Sequence, residues 1–219
     1  ALESNWDMQT SVVDLNAELS RQDLKMLTAN GSYFPDSTGR LDFDIHFDRF
    51  RLMWANPFVE GILEKIRGTV SGDVKLTGTF DVIQTEGELV LSQVALGVPF
   101  FATDYGIEGK PILKITKNRL ELEKATIRDT KEGTTGNVEM LFTHKNFNDW
   151  DMSLEIDSKN LLVLNTENSA DAYFYGKGYV AGAFSIKGPF EDLDINVDIT
   201  TNKGTDFKIP FSNPVNVGN

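Results

Sequence analysis

The sequence predicts an all-β protein whose strands share one apolar face. Apolar and polar residues alternate with a period of two along many segments, which is typical of strands with one buried and one solvated face. The clearest segment runs from Leu41 to Asp48, where Leu, Phe, Ile and Phe alternate with Asp, Asp, His and Asp. Pairs of turn-forming residues separate such segments, so we expect hairpins and meanders.

The alternation recurs along most of the chain. The stretch from Trp6 to Leu27 mixes periods, and we predict mostly strand there. Clear alternating segments follow at residues 41–48, 120–123, 138–142, 152–156 and 193–199. Turns are predicted from their Gly, Pro, Asn and Asp content at Asn30-Gly31, Pro35-Asp36, Lys117-Asn118, Glu132-Gly133, residues 146–149 and Asn202-Lys203-Gly204.

One segment, near residues 57–67, has the pattern of a short amphipathic helix. Asn56 can cap it and Pro57 suits its first position. The apolar residues that would share one side are Phe58, Val59, Ile62, Leu63 and Ile66. We expect this helix to cover an open end or edge of the sheet, because a helix lying on a membrane surface usually carries more Lys and Arg.

Two segments that lie 110 residues apart repeat one pattern. Residues 68–80 align without gaps on residues 178–190, and each copy leads into another alternating strand. Glycines share the parity of the apolar residues in both copies, at Gly72, Gly78, Gly182 and Gly188. A glycine in an apolar row indicates a bulge or bend, or leaves room for a ligand. We predict one elongated β domain over residues 1–219, as a fragment of a larger protein.

The charge balance and the missing residue types narrow the function classes. The 219 residues include 21 Lys and Arg against 33 Asp and Glu, a net charge of −12. This balance argues against binding nucleic acid or an anionic membrane through a basic face. The sequence has no cysteine, which removes disulfides, thiol nucleophiles and Cys-bound metals. No window approaches the roughly 20 apolar residues of a membrane-spanning helix.

Residues that could carry catalysis form no recognisable motif. The two histidines, His46 and His144, lie in neither a nucleophile elbow nor a zinc-binding motif. His46 shares a strand face with Asp42, Asp44 and Asp48, and neighbouring pairs could hold a cation, although such alternation is normally a solvated face. We assign Trp150 and the aromatic run 173–175 a structural use rather than sugar stacking. We therefore predict a non-enzymatic protein without cofactor or metal.

Several short motifs, taken together and in order, resemble the C-terminal region of the TamB family, in the AsmA-like group of envelope proteins. The first are residues 39–48, the segment 57–68 and its continuation to Gly72. The later ones are Phe147-Asn148-Asp149-Trp150, Leu164-Asn165-Thr166, Phe174-Tyr175-Gly176, Ile186-Lys187-Gly188-Pro189 and residues 203–210. The resemblance covers most of the chain from about Asn30 to Ser212. No motif of the barrel-contacting extreme C-terminus is recognisable after Phe211.

The resemblance implies a bent, open U-shaped sheet with an apolar concave interior. It also implies a long periplasmic protein of a Gram-negative bacterium that bridges the periplasm, with its inner-membrane anchor and membrane contacts outside this chain. Members of the family are linked to lipid transport towards the outer membrane and to outer-membrane protein assembly. The implied partners are lipid acyl chains and an outer-membrane barrel protein of the Omp85 type.

Two functions from different classes fit these observations. The first is a conduit in which the apolar faces of successive strands form one groove for acyl chains. Its predicted lining consists of Phe43, Phe47, Val74, Leu76, Phe142, Leu154, Phe184, Ile186, Ile195 and Val197. The second is a scaffold that pairs by strand edges with a barrel partner and keeps a closed apolar core.

Overall fold

The described part of the protein is a single antiparallel β-sheet. The computed structural model describes residues 2–7, 12–22, 24–35, 39–168 and 173–210. These residues form fourteen strands, which confirms the all-β prediction. The strands are β1 (Leu2–Asp7), β2 (Val12–Arg21), β3 (Leu24–Phe34), β4 (Arg40–Arg51), β5 (Glu64–Thr79), β6 (Ile83–Val98), β7 (Thr103–Ile107), β8 (Ile112–Lys117), β9 (Arg119–Asp129), β10 (Thr135–Lys145), β11 (Asn148–Thr166), β12 (Tyr175–Pro189), β13 (Asp194–Thr201) and β14 (Asp206–Lys208).

The strand order follows the chain order almost throughout. From β1 to β7 each strand pairs with the next, and the path continues through β9, β10, β11 and β12 to β13. The long strand β6 pairs with β7 along Ala95–Val98 and with β8 along Thr85–Val90. The strand β12 likewise pairs with β13 and, nearer its start, with β14. Short connections between antiparallel neighbours produce this meander.

The helix predicted near residues 57–67 is wrong in position and type. A 3₁₀ helix spans Leu52–Phe58, and β5 already begins at Glu64. The Asn56 side chain binds both backbone groups of Ile66, accepting from its N–H at 2.8 Å and donating to its carbonyl at 3.2 Å. These bonds hold residue 66 in an extended strand beside β6, so tertiary pairing overrides the helical pattern.

Most predicted turns lie where strands end, but one does not. Turns at Lys117-Asn118, Glu132-Gly133 and residues 202–204 join successive strands. The predicted turn at Asn30-Gly31 is wrong, because both residues lie inside β3. A Cβ on Gly31 would lie 2.2 Å from the carbonyl oxygen of Asp42, so the glycine permits close strand approach rather than a turn. Asp36 lies outside the described residues, between the end of β3 and the start of β4.

The core lies on one face of the sheet, in its middle strands. A cluster of buried residues runs from β5 to β11, and its members are Val70, Val74, Leu89, Leu91, Val94, Ile115, Leu122, Ala125, Ile127, Val138 and Leu161. Strands β1 to β3 confirm the strand predicted before Leu27. The strand pairing does not fix how far the sheet bends, so the open U shape stays a prediction.

Candidate functional site

One row of apolar side chains crosses almost the whole sheet. Residues that pair directly across antiparallel strands lie on the same face, so the pairings trace a continuous line from β2 to β13. Its members are Leu19, Leu27, Phe47, Gly72, Leu89, Leu113, Leu122, Met140, Leu154, Ile186 and Ile195. Gly72 is the one member without a side chain. At a strand spacing of about 4.8 Å, ten steps span roughly 48 Å.

The ten residues predicted to line a groove all lie on the face that carries this row. Phe47, Leu154, Ile186 and Ile195 belong to the row itself. The other six lie in parallel rows two or more residues away, through the pairs Phe43 with Leu76, Ile45 with Val74, Phe142 with Met152, and Ile156 with Phe184 and Val197. Whether this face binds a ligand stays a prediction.

The exposure of the face changes along the sheet. In the middle strands it is closed, since Leu122 is 3% exposed and Val74 is 7% exposed. At the last strand it is open, since Ile195 is 64% exposed and Val197 is 51% exposed. The apolar face therefore runs from a packed core to an accessible surface beside β12.

The four glycines singled out in the repeat have conformations that other residues rarely adopt. Their φ angles lie between +109° at Gly78 and +146° at Gly72, with Gly182 and Gly188 between these values. A Cβ on Gly72 would lie 2.1 Å from the carbonyl oxygen of Glu88 on β6. At the equivalent place in the second copy, a Cβ on Gly182 would lie 2.2 Å from that of Asp198 on β13. Both glycines let a neighbouring backbone approach closely.

Several of the strands carry irregularities in their pairing. In β4 the pairing with β5 shifts between Phe47 and Phe50, and the N–H of Arg49 donates instead to the Ser71 hydroxyl at 2.9 Å. The β9–β10 pairing shifts between Val138 and Met140, and the β11–β12 pairing shifts after Ser158. Such bulges bend a strand and increase its twist.

Ion pairs cover the opposite face. Lys75 lies 3.0 Å from Asp42 and 3.2 Å from Asp44, and these carboxylates raise its pKa. His46, considered above as a cation ligand with its neighbouring aspartates, instead contacts Asp73 at 2.7 Å through Nδ1. In the described ranges no group of three or more His, Asp or Glu side chains could hold a metal ion.

Hydrogen bonds link segments that are distant in sequence at both ends of the middle strands. At one end, Asn146 in the β10–β11 turn accepts the N–H of Ile83 at 2.7 Å and donates to the Phe80 carbonyl at 3.1 Å. At the other, the Tyr105 hydroxyl donates to the Leu162 carbonyl at 2.8 Å, which connects β7 to β11. Burial raises the pKa of Tyr105 to about 12. Sequence reasoning missed both contacts, although it placed a turn at Asn146.

The aromatic segments pack at strand ends. The Trp150 indole donates to the Phe147 carbonyl at 2.9 Å and lies 4.6 Å from the His144 ring. Phe174 contacts Phe100, Phe101 and Phe207, with ring centroids 5.3 to 6.4 Å apart. These contacts agree with the structural use assigned to both segments.

Residues 117–218 match the family model of the TamB C-terminal domain. This match confirms the family resemblance over strands β9 to β14. The earlier motifs, at residues 39–72, lie outside the matched range. No curated protein and no solved structure matches the chain.

The TamB family is a non-enzymatic family of the Gram-negative cell envelope. It is linked to outer-membrane assembly and lipid transport, and it works with an outer-membrane partner. Across the described ranges of this chain, no helix is long and apolar enough to cross a bilayer.

Proposed function

We propose that this TamB chain is a non-enzymatic conduit whose apolar sheet face carries lipid acyl chains across the periplasm. The observation that supports the proposal is the row from Leu19 to Ile195 across eleven strands, in which only Gly72 lacks an apolar side chain. A row of this kind aligns apolar side chains along roughly 48 Å of the sheet and needs no catalytic group. The exposed end at Ile195 and Val197 gives an acyl chain a place to enter or leave.

Burial in the middle strands supports a bent sheet. Leu122 is almost fully buried although the described strands all belong to one sheet. With no second sheet described, the burial is best explained if the sheet curves around its own apolar face. The bulges in β4, β9 and β11 and the left-handed conformation of Arg49 supply local bends of the kind that curvature requires.

The energetics of such a groove are favourable. Burying one methylene contributes about 0.8 kcal/mol. An acyl chain with about fifteen methylenes could therefore gain on the order of 12 kcal/mol, before the cost of ordering the chain is subtracted. The acidic outer face, with residues such as Asp194 and Asp198 exposed beside β12, keeps the opposite side of the sheet in water.

The test uses two variants with the same charge change on opposite faces of β13. Val197 faces the apolar row through its pairing with Phe184, whereas the adjacent Asn196 points to the other face. We expect Val197→Asp to weaken binding of a fluorescent fatty acid at least tenfold, and Asn196→Asp to leave it unchanged. Equal binding by wild type and Val197→Asp, with an intact β-type circular dichroism spectrum in both, would refute the conduit.

One observation favours a second candidate, the scaffold with a closed core. Val70, Leu89 and Leu122 are as buried as the core of an ordinary domain, so an acyl chain could reach them only by displacing packed side chains. In that case the chain would act through its edge strands, β1 and β13, by pairing with an outer-membrane barrel protein. Phospholipid that co-purifies reproducibly, detected by mass spectrometry, supports the conduit, and its absence supports the scaffold.

We further propose that the full-length protein is anchored in the inner membrane and that membrane contact comes from segments outside this chain. The TamB domain supports this arrangement through its family's place in the envelope. Fractionation of envelope membranes with the full-length protein tests it, and recovery in the soluble periplasmic fraction would contradict it.

A further inference from the structure

The ring of His144 lies in an unusual position at the end of β10. It is 2% exposed and packs against the rings of Phe147 and Trp150, with centroids 4.5 and 4.6 Å away. Its Nδ1 accepts the N–H of Phe147 at 3.0 Å, so the neutral ring carries its proton on Nε2. Nε2 is buried and has no hydrogen-bond partner. Conduit and scaffold alike leave this histidine without a role.

The turn that the ring holds is disfavoured on its own. Asn146, Phe147 and Asp149 have φ angles of +51°, +62° and +46°, a region that residues other than glycine rarely adopt. Such conformations persist only where surrounding contacts enforce them. Here the bond from Phe147 to His144 and the bond from the Trp150 indole to the Phe147 carbonyl are those contacts.

This turn also contacts the β5–β6 turn, a distant part of the sheet. Asn146 binds Ile83 and Phe80 in the β5–β6 turn, more than sixty residues away in sequence. The backbone of His144 meanwhile donates to the Asn118 carbonyl in the β8–β9 turn at 3.1 Å. The conformation of residues 144–149 therefore decides whether the β10–β11 and β5–β6 turns stay joined.

We propose that His144 is a pH-sensitive latch that joins the β10–β11 turn to the β5–β6 turn at neutral pH and releases it in acid. A second proton would bind at Nδ1, where it would face the N–H of Phe147, another donor, and the bond would be lost. The charge would also lie in a buried aromatic site. Release of Phe147 frees Asn146, and with it the contact across the end of the sheet.

The direction of the pH effect follows from burial. Burial lowers the pKa of His144 below its ordinary value of 6.5. The charged residues on the elements that the latch joins are Lys117 and Arg119 beside Asn118, Lys145 and Asp149 on its own turn, Asp151 beside Trp150, and Asp81 in the β5–β6 turn. Since the closed latch binds the proton more weakly than the open one, it is fully stable above about pH 6.5 and is lost as the pH falls below that value.

Hydrogen exchange at two amides reads the latch directly. The N–H groups of Ile83 and Phe147 donate to Asn146 and to His144, so their protection factors report the closed state. If only the open state binds the proton, with the ordinary pKa of 6.5, opening increases by at most about tenfold between pH 7.5 and pH 5.5. We therefore expect the wild-type protection factors of both amides to decrease over this pH range, by up to about tenfold.

The two histidines of the chain provide matched variants. His144→Asn keeps an acceptor near the Nδ1 position and cannot be protonated, so its protection should not depend on pH. His46→Asn removes the exposed histidine and should behave like wild type. Two results would overturn the proposal. The first is wild-type protection that is unchanged or higher in acid, as expected if the aromatic rings attract the imidazolium. The second is an equal loss of protection in His144→Asn.

A second measurement on the wild type avoids reliance on a variant that could misfold. In an NMR titration, the His144 ring should titrate below the ordinary histidine pKa of about 6.5, and the side-chain amide of Asn146 should shift over the same pH range. A His144 ring that titrates at or above about pH 6.5, or an Asn146 amide that does not move with it, overturns the latch.

Discussion

Two truncations in the same apolar row test the contrast between its closed middle and its open end. Leu122 and Ile195 both belong to the row, but Leu122 is 3% exposed and Ile195 is 64% exposed. Leu122→Ala removes buried methyl groups and leaves a cavity in the middle of the core cluster, at a cost of about 2 to 5 kcal/mol. Ile195→Ala removes a side chain of which about a third is covered, so the cost should be roughly 0.5 to 1 kcal/mol.

Urea unfolding followed by circular dichroism measures both free energies on the same scale. The two variants should unfold with slopes close to that of wild type, so that the shift in midpoint reports stability. Equal costs for the two truncations would refute the exposure gradient, and with it the reasoning that an acyl chain enters beside β13. A cost below 1 kcal/mol for Leu122→Ala would show that the middle of the face is not a packed core.

Two further predictions concern a glycine that permits close strand approach and a hydrogen bond that joins two strands. Gly72→Ala places a Cβ 2.1 Å from the Glu88 carbonyl oxygen at a φ of +146°, and it should lower the free energy of unfolding by roughly 2 kcal/mol or more. Gly109→Ala, at a φ of +73° with open space around it, should cost only about 1 kcal/mol, and a Gly72 variant no worse than this control would contradict the close approach. Tyr105→Phe removes the hydrogen bond to Leu162 and should cost about 1 kcal/mol in urea unfolding. Wild-type stability in that variant would show that the bond does not hold β7 to β11.

The faces of the strands could be predicted from the sequence because they depend on local parity alone. In a strand, residues two apart lie on one face whatever the strand pairs with, so Phe43 and Phe47, or Ile195 and Val197, had to share a face. The pairing of strands into one row followed from short connections between antiparallel neighbours. Ten predicted lining residues therefore lie on one face even though the sequence fixes no contact between them.

Features that depend on distant contacts could not be predicted in the same way. The segment after Asn56 has a helical pattern, yet the Asn56 side chain and the pairing with β6 hold it extended. Gly31 carries the signal of a turn because sequence alone cannot separate a glycine that permits a turn from one that permits close strand approach. His144 and Tyr105 gave no signal, since their roles arise from partners on other strands.

The change in exposure along the apolar face could not be predicted from the sequence either. The pattern around Leu122 and the pattern around Ile195 are alike, and nothing local distinguishes a core strand from an edge strand. Exposure depends on how many strands follow and on how the sheet curves. The distinction matters for function, because only the open part of the face can receive a ligand without displacement of packed side chains.

Photo-crosslinking at two adjacent residues of β12 tests the central claim most directly. A photoreactive amino acid at Ile186 would lie in the apolar row, whereas one at Lys187 would face the opposite side of the sheet. With phospholipid present, the conduit predicts lipid adducts, detected by mass spectrometry, at position 186 and none above background at position 187. Adducts at neither position, or equal adducts at both, would contradict a groove that binds acyl chains.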